Sequence, residues 1–369
     1  MTFAVKVIKW LLNVIYLFFK LFKRRNQITL ISRESNDITV DFALLEKELK
    51  EELPDYKIVV LCKMMDNKFL YAFHMLKQMY HISRSKVVIL DTYCILVSVL
   101  KHKKGLKVIQ IWHALGLMKK AGYAILDKKE GRNSKFSLQM NFHKGYDYIY
   151  VPSEHCIDAF SQVFNYDTKH IKSVPLPRVD ILRNKKLQED NKRKVFERYP
   201  SLNNGKKNIL YAPTFRKDES STKKAIEDLI NNINFDKYNL VIKLHPLSTV
   251  DISCYELIVD KEFSTMDMYS ACDYVISDYS SIIYEAGIMK KKLIFYAYDF
   301  DQYKDNRDFF IDYYKEVPGP IVKSGKALRR FLEKPDFDKY KDRDMISRYV
   351  DLTVKNCTKN MVREIKELL

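Results

Sequence analysis

The sequence predicts an α/β protein made of two doubly wound halves. Short apolar runs alternate with amphipathic helical stretches, which is the pattern of a parallel sheet with crossover helices. The alternation occurs twice, on either side of a connection at about 175–207 that turns polar and charged over 184–207. The length agrees: 369 residues exceed one small core and suit two domains of similar size. A hydrophobic fraction of 47% marks a folded chain.

The first element is basic. Residues 1–25 carry Lys6, Lys9, Lys20, Lys23, Arg24 and Arg25 and no acidic residue. The apolar run 10–19 is interrupted by Asn13 and falls short of the roughly 20 residues that span a bilayer. The basic stretch after it offers no small-residue cleavage site. Lys6, Lys9, Asn13 and Lys20 share one helical face, while Trp10, Leu11, Val14, Ile15, Phe18 and Phe19 cover most of the rest. This spacing predicts an amphipathic helix lying in the headgroup region of an anionic leaflet. A helix packed on the protein's own surface is the plain alternative.

Residues 26–180 form the first half, with strands expected at 28–32, 57–62, 86–90, 107–112 and 146–151 and helices at 42–52 and 70–79. The connection follows and contains a helix. Residues 181–335 form the second half, with strands at 208–211, 240–244, 256–259, 274–277 and 293–296 and helices near 223–231, 266–271 and 282–290. Residues 336–369 read as a charged, partly amphipathic helical tail. Two such halves suggest a cleft, and ligands of doubly wound sheets bind beyond the carboxyl ends of the strands.

The polar motifs fall at those ends. Trp112-His113-Ala114-Leu115-Gly116 follows one strand and Tyr211-Ala212-Pro213-Thr214-Phe215-Arg216 another. Lys243-Leu244-His245-Pro246 ends a third, and Ser277-Asp278-Tyr279-Ser280-Ser281 leads from a fourth into a helix. A hydroxyl-rich turn ahead of a helix N-terminus makes an anion site, because free N–H groups and the helix dipole point at it. Asp278 would repel phosphate, so holding the turn or binding a hydroxyl suits it better. A neutral imidazole at His113 is suited to take a proton from an attacking hydroxyl. His245, made extended by Pro246, is placed to donate to a phosphate oxygen. Arg216, with Thr214, offers a bidentate fork for a diphosphate. Arg178 either does the same or pairs with Asp180. Glu285, about a turn into the helix, suits a ribose diol or is an ordinary first-turn glutamate.

Several classes are disfavoured. The net charge of +17 predicts an anionic partner without choosing among nucleic acid, phospholipid and phosphorylated substrate. No zinc finger, RRM-type motif or basic recognition helix supports nucleic acid. The six cysteines are scattered, with no C-x2-C pair, and read as buried free thiols in a reducing compartment. There is no Walker loop and no G-x-G-x-x-G fingerprint. Asp299-Phe300-Asp301 has D-x-D spacing but stands alone. No metal site and no cofactor are expected.

Taken together, the four motifs, Pro177-Arg178-Val179-Asp180, Phe295-Tyr296-Ala297-Tyr298-Asp299 and Val317-Pro318-Gly319-Pro320 resemble, in order and spacing over roughly residues 85–325, the CDP-glycerol glycerophosphotransferase family of wall teichoic acid synthesis. The resemblance implies a GT-B fold, an acceptor-side first half and a CDP-polyol-binding second half. It implies transfer of a polyol phosphate from CDP-glycerol to a hydroxyl on an undecaprenyl-diphosphate-linked saccharide, with release of CMP. His113 matches the family's base. His245, Arg216, Ser280 and Ser281 match positions associated with the donor diphosphate, and Glu285 falls where ribose contacts lie, beside Pro246. Ala114 replaces the glycine usual after the histidine, so the backbone approaches less closely there. The short N-terminal region resembles the primase branch, which adds the first glycerol phosphate; short members that add later units or use ribitol stay open. The implied location is peripheral, on the cytoplasmic face of the bacterial membrane. A homo-oligomer is compatible with the sequence but not indicated by it. The rivals are a GT-B nucleotide-sugar glycosyltransferase and a non-catalytic binder of polyanions.

Overall fold

The computed structural model describes residues 3–369 apart from Cys254 and Glu256. The thiol expected at Cys254, the start of the strand expected at 256–259 and the first two residues of the N-terminal segment therefore lie outside the described residues. The chain divides into two compact units, one running to Asp180 and including Tyr349–Leu369, the other Ile181–Arg348.

The first unit is built on six parallel strands: β1 (Gln27–Ser32), β2 (Lys57–Cys62), β3 (Val87–Leu90), β4 (Lys107–Gln110), β5 (Tyr148–Val151) and β6 (Ile171–Ser173). Their order is β2-β1-β3-β4-β5-β6. β1 and β3 are buried along their whole length, as strands covered by helices on both faces must be. β6 was not among the expected strands. It has three residues and a single buried side chain, Ile171, so it leaves no apolar run to read. β4 stops short of the expected residue 112 because Trp112 takes φ 59° and leaves the extended region.

The C-terminal residues do not form a separate tail. The helix Cys357–Lys366 packs on the helix Val40–Glu52 within the first unit. Asp180 fixes its start, accepting from the N–H of Cys357 (2.8 Å), the N–H of Thr358 (2.9 Å) and the Thr358 hydroxyl (2.7 Å). A carboxylate at a helix N-terminus satisfies orphan N–H groups and meets the positive dipole end.

The N-terminal helix Phe3–Lys20 sits on this unit by its polar face. Lys9 Nζ donates to the Gln139 carbonyl at 2.9 Å. The Asn13 amide donates to the Val99 carbonyl (3.0 Å) and its oxygen accepts from Lys101 N (2.9 Å). The Tyr16 hydroxyl meets His102 Nδ1 at 3.1 Å, and Lys20 Nζ reaches the Lys101 carbonyl at 3.2 Å. The apolar face is left outward, with Trp10 63% and Phe18 62% exposed. Phe69 and Phe73, on the helix Lys68–Arg84, are also exposed. Among the described residues no helix is long and apolar enough to cross a membrane.

The second unit has its own parallel sheet: β7 (Lys207–Tyr211), β8 (Tyr238–Ile242), β9 (Ile258–Val259), β10 (Tyr274–Ser277), β11 (Lys292–Tyr296) and β12 (Ile321–Val322), in the order β12-β11-β10-β7-β8-β9. Its core includes Ile209, Leu229, Ile242, Ile276 and Leu328, all fully buried. Helices Ser220–Asn232 and Gly325–Glu333 pack together beside it. Gly325 cannot be larger, because a Cβ there would lie 2.3 Å from the Asp228 carbonyl oxygen. The expected connection at 175–207 is mostly helical, with Arg178–Arg183 and Lys185–Arg198. Of the six cysteines, Cys62, Cys94, Cys156, Cys272 and Cys357 are free thiols.

Candidate active site

In the first sheet β2 lies on one side of β1 and all later strands on the other, so the winding reverses between β1 and β3. Ligands of such sheets bind beyond the strand ends at this reversal. Arg33, Asp91 and Thr92 leave those ends, and Trp112 and His113 leave the next strand. Gln110 ties the loops together: its amide N–H donates to the Thr92 carbonyl (3.1 Å) and its side-chain oxygen accepts from Trp112 N (2.8 Å). Positive φ at a bulky residue costs about 1–3 kcal/mol and persists only where surroundings hold it. Here the holding contacts are Gln110 and the Trp112 ring, which lies 4.3 Å from the His113 ring and edge-on to Phe164 at 5.3 Å.

The consequence is that His113 turns back toward β3, with Nδ1 3.2 Å from the Asp91 carbonyl oxygen. Asp91 itself is 2% exposed. Its Oδ2 accepts weakly from Thr39 (3.4 Å), and Oδ1 is buried without a partner. Burial pushes this carboxyl up to about 7. Sequence reading missed Asp91, since one aspartate after an apolar strand carries no distinguishing signal. Gly116 is buried and Ala114 nearly so.

Arg178 and Asp180, read as a candidate pair, do not pair in this way. Arg178 donates to Asp41 through its backbone N–H and Nε (2.8 Å each) and Nη2 (2.6 Å). Asp180 is occupied at the helix Cys357–Lys366. The two side chains secure the frame of the first unit.

In the second sheet the reversal lies between β7 and β10. The loops that leave these strands are stitched together by the Ser277 hydroxyl, which donates to the Ala212 carbonyl at 2.7 Å. Asp278 is fully buried; its Oδ1 accepts from Thr214 N (2.9 Å) and Tyr279 N (2.6 Å), and its Oδ2 from Arg216 Nη2 (2.7 Å). Burial opposes the Asp278 charge, but the Arg216 guanidinium and the Thr214 N–H outweigh it and hold the carboxyl below the usual range. Asp278 holds the turn.

Arg216 is placed differently from the expected diphosphate ligand. Its Nε donates to Asp299 Oδ2 (2.6 Å), Nη2 to Asp299 Oδ1 (2.9 Å) as well as Asp278, and Nη1 to the Thr214 carbonyl (2.5 Å). The side chain is 8% exposed, among the rings of Tyr279, Tyr298 and Tyr303. The fork grips two carboxylates and fixes the corner. Asp299 is thereby committed, which removes the D-x-D pair as a metal ligand set. Among the described residues no group of three metal-ligating side chains is clustered. The Thr214 hydroxyl is buried without a partner.

A cavity of about 970 Å³ opens at this reversal, lined among others by Pro213, Lys243, His245, Pro246, Phe263 and Ser280. Three of the expected site residues, His245, Pro246 and Ser280, thus share one wall system. Ser281, Arg216, Thr214 and Glu285 are not among its lining residues; Ser281 begins the helix Ile282–Ile288 without a side-chain cap bond, and Glu285 is buried at 9% exposure. His245 Nδ1 accepts from Leu247 N at 3.1 Å, and its ring lies 5.3 Å from Phe215. Lys243 Nζ is bound to Asp260 Oδ2 (2.6 Å) and to the Phe263 carbonyl, so it fixes the loop after β9 against the cavity.

Comparison with known proteins bears on the family and the fold. The family described as CDP-Glycerol:Poly(glycerophosphate) glycerophosphotransferase matches residues 14–367. The chain is 28% identical over 347 residues to the teichoic acid ribitol-phosphate primase of Bacillus spizizenii, covering 90% of this chain and 89% of that one. It is 30% identical over 304 residues to the teichoic acid glycerol-phosphate primase of Bacillus subtilis, covering 80% and 77%. Its fold is similar to that of the wall teichoic acid polymerase TagF, with a TM-score of 0.74 over 98% of this chain and 95% of that one at 21% identity. A TagF variant soaked with CDPG superposes as well, at a TM-score of 0.74 and 19% identity over 98% and 94%. Two parallel six-stranded sheets, each with polar loops at its winding reversal, and a family match over nearly the whole chain lead to one conclusion: this protein belongs to the CDP-glycerol glycerophosphotransferase family, the GT-B-like transferases of teichoic acid biosynthesis.

Proposed function

We propose that this enzyme is a primase: it transfers glycerol phosphate from CDP-glycerol to a hydroxyl of an undecaprenyl-diphosphate-linked disaccharide and releases CMP. The observation that carries the reading is the cavity at the β7/β10 reversal, where His245, Pro246 and Ser280 meet at strand ends in a member of a CDP-glycerol family. In the proposed step the acceptor oxygen attacks the phosphorus that bears glycerol. Its proton passes to His113, and the bond to the CMP phosphate breaks. The leaving phosphate is itself a stable anion, so positioning and N–H donation supply most of the acceleration. Ser280, Ser281 and His245 serve the diphosphate. Arg216, Thr214 and Asp278 hold the corner that presents them, and Pro246, which lines the cavity, serves the ribose side.

The acceptor is membrane-bound through its lipid, so the enzyme works at the bilayer, on its cytoplasmic face. The outward apolar face of the helix Phe3–Lys20, with Lys6, Lys23 and Arg25 around it, fits an anionic leaflet. A ribitol-phosphate reading is favoured by one observation: the ribitol primase aligns with more of this chain than the glycerol primase does. The test is CMP release on a synthetic lipid-diphosphate disaccharide with CDP-glycerol, CDP-ribitol and UDP-sugars supplied separately. Turnover with CDP-glycerol is expected; turnover with CDP-ribitol alone selects the second reading, and turnover with a UDP-sugar alone rejects both.

A further inference from the structure

We infer that backbone groups hold the two site histidines in opposite neutral tautomers, His113 as the Nδ1–H form and His245 as the Nε2–H form. The main-chain group beside Nδ1 has, in each case, a single capability. The Asp91 carbonyl oxygen beside His113 Nδ1 only accepts, so that nitrogen carries the proton and Nε2 keeps its lone pair. The Leu247 N–H beside His245 Nδ1 only donates, so that nitrogen keeps its lone pair and Nε2 carries the proton. The hydrogen bond made by one ring nitrogen decides what the other can do.

Both arrangements are built into local backbone. His113 reaches Asp91 because Trp112 takes its left-handed turn and Gln110 holds it there. His245 receives Leu247 N because the chain turns immediately after Pro246, where Ser248 N also returns to the His245 carbonyl at 2.8 Å. Reversing either tautomer opposes lone pair to lone pair or N–H to N–H. Losing one such bond disfavours the reversed form on the order of tenfold.

The chemistry this assigns rests on the proposed transfer; the tautomers themselves do not. His113 Nε2 is the basic nitrogen and takes the proton of the acceptor hydroxyl. His245 Nε2–H donates a hydrogen bond to a donor phosphate oxygen without giving up its proton, because CMP leaves as a phosphate whose second pKa is about 6 and needs none at neutral pH. The products are the new phosphodiester, CMP and a protonated His113. Asp91 and Leu247 are then positioning residues, acting through main-chain atoms.

The test is a long-range proton–nitrogen correlation spectrum of the full-length protein labelled with 15N at its eight histidines. It is recorded at about pH 8.5, well above the ordinary imidazole range. His113→Gln and His245→Gln each remove one set of signals and so assign the two rings. The expected spectrum shows His113 protonated at Nδ1 and His245 at Nε2. Either ring in the other tautomer, or an even mixture at either, overturns the inference. Leu247→Pro removes the donor while the remaining histidine signals report the fold, and the His245 signals are expected to move toward a mixture; unchanged signals overturn the role of that N–H. In turnover, His245→Gln keeps an N–H donor near Nε2 and is expected to retain at least tenfold more kcat than His245→Ala. Equal loss in the two variants overturns the donor role. A tautomer pattern as expected with no turnover on CDP-polyols would reject the proposed function and leave the tautomers standing.

Discussion

The two sheets reach the same kind of place by different means. In the first unit the loops at the winding reversal are held by the Gln110 amide, the Trp112 ring and a weakly bonded Asp91 carboxyl. In the second, the corner is bolted by charge, with Arg216 set between Asp278 and Asp299. In the proposed transfer the difference separates two tasks. Taking a proton from the acceptor needs a ring nitrogen whose lone pair the surrounding loop keeps available. Binding a diphosphate needs donors that do not move, and a buried ion pair fixes backbone N–H groups at the cost of desolvating three charges.

The largest effect expected from breaking this contrast is at the first site. His113→Ala should lower kcat by roughly 10³-fold, within the range of a general base, and leave CDP-glycerol affinity unchanged by calorimetry. An equal loss of affinity would move His113 to the donor. The second unit should respond in stability instead. Arg216→Met strands Asp278, whose side chain is wholly buried, and should destabilise by about 3–5 kcal/mol in chemical unfolding. Arg178→Met removes the partner of Asp41 where the arginine is more exposed, 16% against 8%, and should cost less, about 2 kcal/mol. If both variants unfold alike, the ion pair at the second corner holds no more than the one that frames the first unit.

These contrasts also show what the sequence displayed. The alternation of strands and helices, the two halves and the four strand-end motifs were legible, because buried parallel strands are continuous apolar runs and turns interrupt them with polar residues. β6 and β12 were not, because strands of three and two residues leave no run. Arg216 was found but its partner was not: a guanidinium fits a carboxylate as well as a phosphate, and only the fold shows Asp278 and Asp299 beneath it. The N-terminal helix was legible as a helix, whereas the use of its polar face was hidden. Lysines and an asparagine look solvated until main-chain carbonyls of the same unit are found against them.

Asp91 gives a smaller, pH-dependent effect. Its folded pKa is raised, so it contributes stability at low pH that is lost as pH rises from about 4 through about 7. Wild type should therefore lose stability relative to Asp91→Asn between pH 5 and pH 8, by up to a few kcal/mol. Parallel unfolding curves for the two proteins at both pH values would place the Asp91 charge elsewhere. The smallest effect is at the surface. Trp10→Glu together with Phe18→Glu, both well exposed, should leave the fold unchanged and weaken sedimentation with anionic vesicles by about tenfold. Undiminished vesicle binding would remove the helix from the membrane account.

The central claim is that an acceptor hydroxyl displaces CMP from a CDP-polyol. The direct measurement is mass spectrometry of the product made from CDP-glycerol and a lipid-linked disaccharide whose accepting hydroxyl carries 18O. One added glycerol phosphate with the label retained in the product, and unlabelled CMP released in equal amount, is the expected result. A product bearing a sugar in place of glycerol phosphate, or label appearing in CMP, would contradict it.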